Sequence, residues 1–162
     1  MKKIIFYLVI GFLMCNTNVY SQKLSGRISV TGFSNGGTIK EQTPVQLFKS
    51  FKENKYKIGF SFKGSGLGKD DIVLFDMKTT VKKNGKVIGT STRPGWPWIP
   101  GDMFMPAEAF DFIPMLQKDA SRTTGSKMNK MTGSYEIILE MKVSAGQDIS
   151  GSISPVIVSS KF

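Results

Sequence analysis

The chain has 162 residues, of which 22 are lysine or arginine and 12 are aspartate or glutamate, so its formal net charge is +10. It contains no histidine and only one cysteine. These two facts exclude Ser–His and Cys–His nucleophilic centres, and nearly every zinc, copper or iron site built on imidazole or thiolate ligands. We therefore predict that the protein uses neither a metal nor a cofactor.

The first 21 residues have the three-part layout of a cleaved secretory signal. A short basic start is followed by an apolar run over 4–15, which is too short to span a bilayer as a permanent helix. Val19 and Ser21 then occupy the −3 and −1 positions of a cleavage site. We predict an exported protein that is periplasmic, cell-surface or extracellular. Lipidation at Cys15 is the less favoured alternative, because a small residue normally precedes a lipidated cysteine and Met14 stands there.

Residues 22–162 are long enough to form one domain with its own core. This part of the chain has no cysteine, so packing must stabilise it without disulfides. Most of its basic residues are lysine rather than arginine, which favours weak attraction to anionic surfaces over specific phosphate recognition. Since no basic run is interleaved with aromatic residues, we predict no nucleic-acid partner.

Alternation of apolar and polar residues predicts six strands, over 24–33, 55–63, 72–83, 86–93, 135–143 and 149–159. A seventh, weaker strand is predicted over 45–51. Pro155 in the last strand predicts an edge position or a bulge. Seven short, mostly antiparallel strands in one domain indicate an all-β fold, a single antiparallel β-sandwich of immunoglobulin-like type.

The dipeptide Asn84-Gly85 predicts a β-hairpin with a type I′ turn, because both residues tolerate the positive φ that this turn requires. Continuing the register from a two-residue turn places Val81 opposite Ile88. The same register places Asp76 opposite Arg93. We therefore predict a cross-strand ion pair between these two residues.

In the predicted strand over 55–63, lysines and small residues alternate with apolar ones. A row of lysines on the outer face of a strand discourages edge-to-edge pairing with a second molecule, and we favour this interpretation. The alternative is a binding site lined with lysine.

The segment 94–133, called the insertion below, separates the fifth strand from the sixth. Between Pro94 and Lys118 it contains both tryptophans and five of the seven prolines of the chain. Loops of this length are usually functional, disordered or partly structured. A short helix is predicted over 106–113, with Phe110 and Ile113 packed onto the sheets.

Two roles are open for the insertion. It could be a proline-stiffened lid whose aromatic residues complete the core. It could instead expose a docking patch, because tryptophan is enriched at interface hot spots and exposed apolar surface usually marks a partner. We predict a non-enzymatic binding or assembly module whose insertion contacts a partner protein, a glycan or an apolar ligand. The predicted contact residues are Trp96, Trp98, Phe104, Met105 and Phe110.

Two further classes remain as alternatives. The acids Asp102, Glu108, Asp111 and Asp119 could support a hydrolase that acts on glycans, since two carboxylates suffice for that chemistry. The alternating strands and the terminal Phe162 are also compatible with a small outer-membrane β-barrel.

Overall fold

The computed structural model describes residues 22–31, 37–99, 101, 103–124 and 130–162. The predicted signal segment, with Cys15, lies outside these ranges. The described chain is mostly β. Its elements, in chain order, are β1 (Gln22–Thr31), α1 (Pro44–Lys52), β2 (Lys57–Ser65), β3 (Val73–Lys83), β4 (Lys86–Trp98), β5 (Met103–Met105), a 3₁₀ helix (Ala107–Phe110), α2 (Phe112–Thr124), β6 (Ser134–Val143), β7 (Ile149–Ser154) and β8 (Val156–Lys161).

The strands form two sheets of four. Sheet A has the order β5-β2-β1-β7, and sheet B has the order β4-β3-β6-β8. Neighbouring strands are antiparallel except for β1 and β7, which are parallel. The predicted all-β class is thus confirmed, in the form of two four-stranded sheets. The parallel pairing of β1 with β7 was not predicted.

Pro155 is the only residue between β7 and β8, which belong to different sheets and lie at the end of each. Proline cannot donate a hydrogen bond to a sheet, so it suits a residue where the chain leaves one sheet for the other. The prediction of one strand over 149–159 is therefore wrong, because the chain forms two strands on either side of Pro155; both are edge strands, as expected next to a proline.

The two sheets meet through aromatic side chains in one continuous core. Phe62 of sheet A stacks on Phe75 of sheet B with 5.1 Å between ring centroids. The ring of Trp98, at the end of β4, meets Phe62 edge-on at 5.0 Å. Offset-stacked and edge-to-face rings are favourable geometries, so these contacts stabilise the packing of the inner face of sheet A on the inner face of sheet B.

The prediction of a strand over 45–51 is wrong, because these residues belong to helix α1. Pro44 occupies the first turn of the helix, where its missing N–H costs nothing. The side-chain oxygen of Thr43 caps the helix by accepting a 3.2 Å hydrogen bond from the backbone N–H of Gln46. Leu47 is fully buried and Phe51 packs beside it, at helical rather than alternating spacing.

The predicted hairpin is confirmed at its turn, where Asn84 and Gly85 have φ angles of 50° and 79°. Its predicted register is wrong beyond the first two pairs. A register shift after Lys82 places Val81 opposite Gly89 instead of Ile88. A bulge adds one residue to one strand, and the alternation pattern does not show where the extra residue is.

The predicted ion pair between Asp76 and Arg93 is therefore wrong. Arg93 lies opposite Met77 in the sheet, and its guanidinium binds Asp111. Asp76 accepts hydrogen bonds from the hydroxyl of Ser144 and the backbone N–H of Gly95.

The insertion is largely regular structure. Its first residues continue β4 as far as Trp98, and β5 then pairs with β2 in sheet A. The 3₁₀ helix and α2 follow, separated by Asp111 in the left-handed conformation with φ 56°. The predicted helix over 106–113 is wrong in its bounds, because Asp111 ends the 3₁₀ helix and α2 runs through Pro114 to Thr124. Phe110 and Ile113 are buried as expected, although they lie on different elements. Among the described residues, no helix has the length and apolarity needed to cross a membrane.

Candidate functional site: the outer face of sheet A

The surface of sheet A that points away from sheet B carries cationic and hydroxyl side chains. We call it the cationic face, and it consists of Lys23, Ser25, Arg27, Ser29 and Thr31 on β1, Lys57, Ser61, Lys63 and Ser65 on β2, and Ser150, Ser152 and Ser154 on β7. These residues share one face because alternate residues of a strand point to the same side.

Strand register arranges this face in rows. Lys23 lies between Ser65 and Ser150, so that a cation is flanked by a hydroxyl on either side. The next rows are Lys63–Ser25–Ser152 and Ser61–Arg27–Ser154. Successive rows are about 6.6 Å apart, twice the rise per residue of a strand. The result is a regular array of positive charges and hydroxyl groups.

No acidic residue occupies any position of the cationic face. In the part of the chain that the structure describes, Lys23, Arg27, Lys57 and Lys63 form no ion pair. The acid nearest along β7 is Asp148, which precedes the strand. The positive charge of this face is therefore not compensated by neighbouring side chains.

The outer face of sheet B is built differently, because its lysines stand beside acids. Nζ of Lys78 lies 3.3 Å from a carboxylate oxygen of Glu140. Lys82 and Glu136, and likewise Lys142 and Asp76, approach to 3.9 Å. These three lysines of sheet B thus stand beside acids, whereas the cations of the cationic face do not.

Phe104 lies at the β5 end of the cationic face. It pairs with Gly59 of β2, and a Cβ atom added to Gly59 would be 3.2 Å from the Phe104 ring. Gly59 is buried although it belongs to the outer face, because this ring covers it. The other side of the ring is open, and Phe104 is 63% exposed with Nζ of Lys57 5.7 Å from its centroid.

A buried carboxylate anchors the segment that leads into β2. Glu41 accepts hydrogen bonds from the hydroxyls of Tyr56 and Ser50, at 2.6 and 2.9 Å, and from the amine of Lys55. Burial would raise the pKa of Glu41, but these hydrogen bonds outweigh it and lower the pKa to about 2. Lys55, grouped with Lys57 in the sequence analysis, is thereby held away from the cationic face.

The other predicted contact residues are mostly internal. Trp98, Met105 and Phe110 are 2%, 5% and 1% exposed, and all three belong to the core. Nε1 of Trp98 donates a 3.1 Å hydrogen bond to the carbonyl of Gly101. Trp96 is half-buried. Of the five predicted contact residues, Phe104 alone is strongly exposed, and the structure does not bring the five together on one surface.

The acids considered for catalysis are held in structural ion pairs or stand apart. Asp111 accepts from Arg93 and Ser91, and the hydrogen bond from Arg93 is the main reason that its pKa is lowered. Asp119 accepts from Lys83 and from the hydroxyl of Tyr135. Glu108 is exposed, and Asp102 lies outside the described residues.

The sequence analysis missed most of the cationic face. The lysines of β2 were attributed to protection of an edge, but β2 is an interior strand between β5 and β1. The alternation of Lys23, Ser25 and Arg27 was visible in the sequence. The serines of β7 could not be added to it, because the pairing of β1 with β7 joins residues 128 apart.

Comparison of the chain with protein-family models and with curated proteins found no match.

Proposed function

We propose that this protein is a non-enzymatic binding module that holds an extended anionic polymer on the cationic face of sheet A. The observation that carries the proposal is the set of unpaired cations in register with hydroxyls, whereas three lysines of the other outer face stand beside acids. Unpaired positive charge attracts anions, and hydroxyls donate hydrogen bonds to them.

The shape of the face supports a polymer rather than a single small anion. A small anion is usually enclosed by converging donors, whereas the rows here repeat along the sheet about 6.6 Å apart. Three of the four cations are lysines, which act as flexible point charges without the bidentate geometry of arginine. Many weak contacts of this kind add up along a repeating ligand.

We also propose that the protein is exported to the periplasm, the cell surface or the exterior. Anionic glycans are the polymer we propose as its partner in that location. We also propose that the two sheets form a β-sandwich. The immunoglobulin-like connectivity of these strands stays a prediction. The parallel pairing of β1 with β7 and the two α-helices were not part of that prediction.

The test is binding to dextran sulfate, with uncharged dextran as the matched ligand, measured by calorimetry at several salt concentrations. The diagnostic variant combines Lys23→Gln, Lys57→Gln and Lys63→Gln. The control variant combines Lys78→Gln, Lys82→Gln and Lys142→Gln, which removes the same charge from the outer face of sheet B. Both sets are exposed or half-exposed, so the fold should tolerate them.

We expect the wild-type protein to bind dextran sulfate with an affinity that falls as the salt concentration rises, and not to bind dextran. The affinity of the sheet A variant should be about tenfold lower or more. A tenfold loss corresponds to about 1.4 kcal/mol of binding free energy, shared among the three lysine contacts that are removed. The control should change affinity by about twofold at most. Equal losses in both variants would mean that only net charge matters, and the proposed site would be wrong.

A further inference from the structure

A cleft opens beside Phe104, between the end of α1 and the segment from β5 to the 3₁₀ helix. Its volume is about 390 Å³, and its walls include Phe51, Asn54, Phe104, Pro106 and Glu108. Lys57 lines the cleft and also belongs to the cationic face. The cleft and the face are therefore parts of one continuous surface that meet at Lys57 and Phe104.

The aromatic wall of the cleft is a fixed platform. Phe104 rests on Gly59, where any side chain would crowd the ring, and its pairing with β2 holds the backbone. One side of the ring faces the protein and the other faces solvent. The C–H face of a sugar ring is apolar and flat enough to lie on such a platform, and its C–H groups complement the negative face of the aromatic ring.

The cleft is lined by Lys52 as well as Lys57, and it adds two polar groups of kinds that the cationic face lacks. Asn54, at φ 59°, follows helix α1 and supplies both a donor and an acceptor. Glu108 supplies an exposed carboxylate that no described side chain engages, and it accepts hydrogen bonds only. A carboxylate accepts hydrogen bonds from sugar hydroxyls, which a fully ionised phosphate chain does not have. To the cations that it shares with the adjoining face, the cleft thus adds an aromatic ring and hydrogen-bonding groups that suit a hydroxylated sugar.

On this basis, which rests on the proposed function, we infer that the polymer is an acidic polysaccharide. One sugar ring stacks on Phe104 while its hydroxyls reach Asn54 and Glu108, and the acidic groups of the following sugars lie along the cationic face. A polymer of phosphate alone offers nothing that would use the aromatic platform or Glu108.

The test compares two polyanions, polygalacturonate and inorganic polyphosphate, by calorimetry with the wild-type protein and with Phe104→Ala. The Phe104 side chain is largely exposed, so its removal should leave the fold intact, and circular dichroism checks this. Ile72→Ala is the matched control, because Ile72 is a similarly exposed apolar residue at 57%. A second variant, Asn54→Gly, removes the amide and keeps the left-handed backbone accessible.

We expect Phe104→Ala to weaken polygalacturonate binding about tenfold and polyphosphate binding about twofold at most. Because the phenyl ring is uncharged, its removal leaves the charge of the protein the same, so a loss confined to polygalacturonate would come from the lost ring contact. Asn54→Gly should also weaken only polygalacturonate binding, and Ile72→Ala should weaken neither. If Phe104→Ala leaves polygalacturonate binding unchanged, or weakens both polymers equally, the inference is overturned while polyanion binding stands. If the wild-type protein binds neither polymer, the proposed function is overturned with it.

Discussion

Gly26 on β1 and Phe62 on β2 are register partners, and the phenyl ring of Phe62 occupies the space in which a side chain at position 26 would lie. A Cβ atom on Gly26 would collide with this ring and with the backbone carbonyl of Ser61. The missing side chain lets Phe62 lie flat over β1 and reach Phe75 in the other sheet.

Gly26→Ala should therefore destabilise the fold, because the new methyl group displaces Phe62 from the contact between the sheets. We expect a loss of about 1–3 kcal/mol in the free energy of unfolding, typical of an overpacked core, measured by urea denaturation. Gly68→Ala is the control, since a Cβ there would have its nearest neighbour at an ordinary 3.6 Å. If both substitutions cost the same, the ring of Phe62 is not what limits position 26.

Glu41 should make the stability of the protein fall in acid. Its pKa is about 2 in the folded chain against an ordinary value of 4.5, so the carboxylate stabilises the fold fully above about pH 4.5 and loses this effect as the pH falls toward 2. The difference corresponds to on the order of 3 kcal/mol at neutral pH. Urea denaturation from pH 7 to pH 3 should show Glu41→Gln losing that amount at pH 7 and progressively less in acid. Glu108→Gln, at an exposed carboxylate, should follow the wild-type curve, and a Glu41→Gln penalty independent of pH would contradict the assignment.

The partner of Arg93 can be tested directly by double-mutant cycles. Nε of Arg93 donates to one oxygen of Asp111 at 2.9 Å and Nη2 to the other, a two-pronged geometry stronger than a single contact. Because both side chains are partly exposed, we expect a coupling free energy of only about 1 kcal/mol between Arg93→Gln and Asp111→Asn. Asparagine tolerates the left-handed backbone at this position. The same cycle with Asp76→Asn should give a coupling within about 0.3 kcal/mol of zero. Appreciable coupling to Asp76 instead would restore the register predicted from the sequence.

The two tryptophans should respond differently to solvent. Trp98 is buried and hydrogen-bonded, whereas Trp96 is half-buried. In Trp96→Phe, the remaining Trp98 should emit at short wavelength and resist quenching by acrylamide. In Trp98→Phe, the emission should move to longer wavelength with easier quenching, and stability should fall because a packed ring and its hydrogen bond are lost. Easy quenching in Trp96→Phe would mean that Trp98 is exposed in solution.

The sequence was a good guide where structure depends on neighbours along the chain. The turn at Asn84-Gly85 follows from backbone preference, and the break between two edge strands at Pro155 is consistent with its missing N–H. Helix α1 was missed because the run over 45–51 is apolar enough to fit either period. The cap at Thr43 decides in favour of the helix, but this signal was not weighed.

The candidate site was harder to predict, because its strands pair across long separations in sequence and because bulges shift the register. One extra residue in β4 moved Arg93 from Asp76 to Asp111, a change of partner that residue types alone do not reveal. Tryptophan was expected at the surface because of its frequency in interfaces, yet Trp98 is needed between the sheets. Phe104 was among the predicted contact residues and is exposed, but its supporting Gly59 and the adjoining rows of charge depend on which strands pair.

The parallel pairing of the first described strand with the seventh also sets an order of events. Gln22 and Ser150 are joined by a hydrogen bond although they are 128 residues apart, so β1 lacks one of its two neighbours until β7 has been synthesised. Contacts between such distant residues are slow to form, because a long loop must close first. The cationic face, whose third column of hydroxyls comes from β7, is thus complete only after β7 has joined β1. Until then β1 and β2 present their cations with only two of the three columns in place.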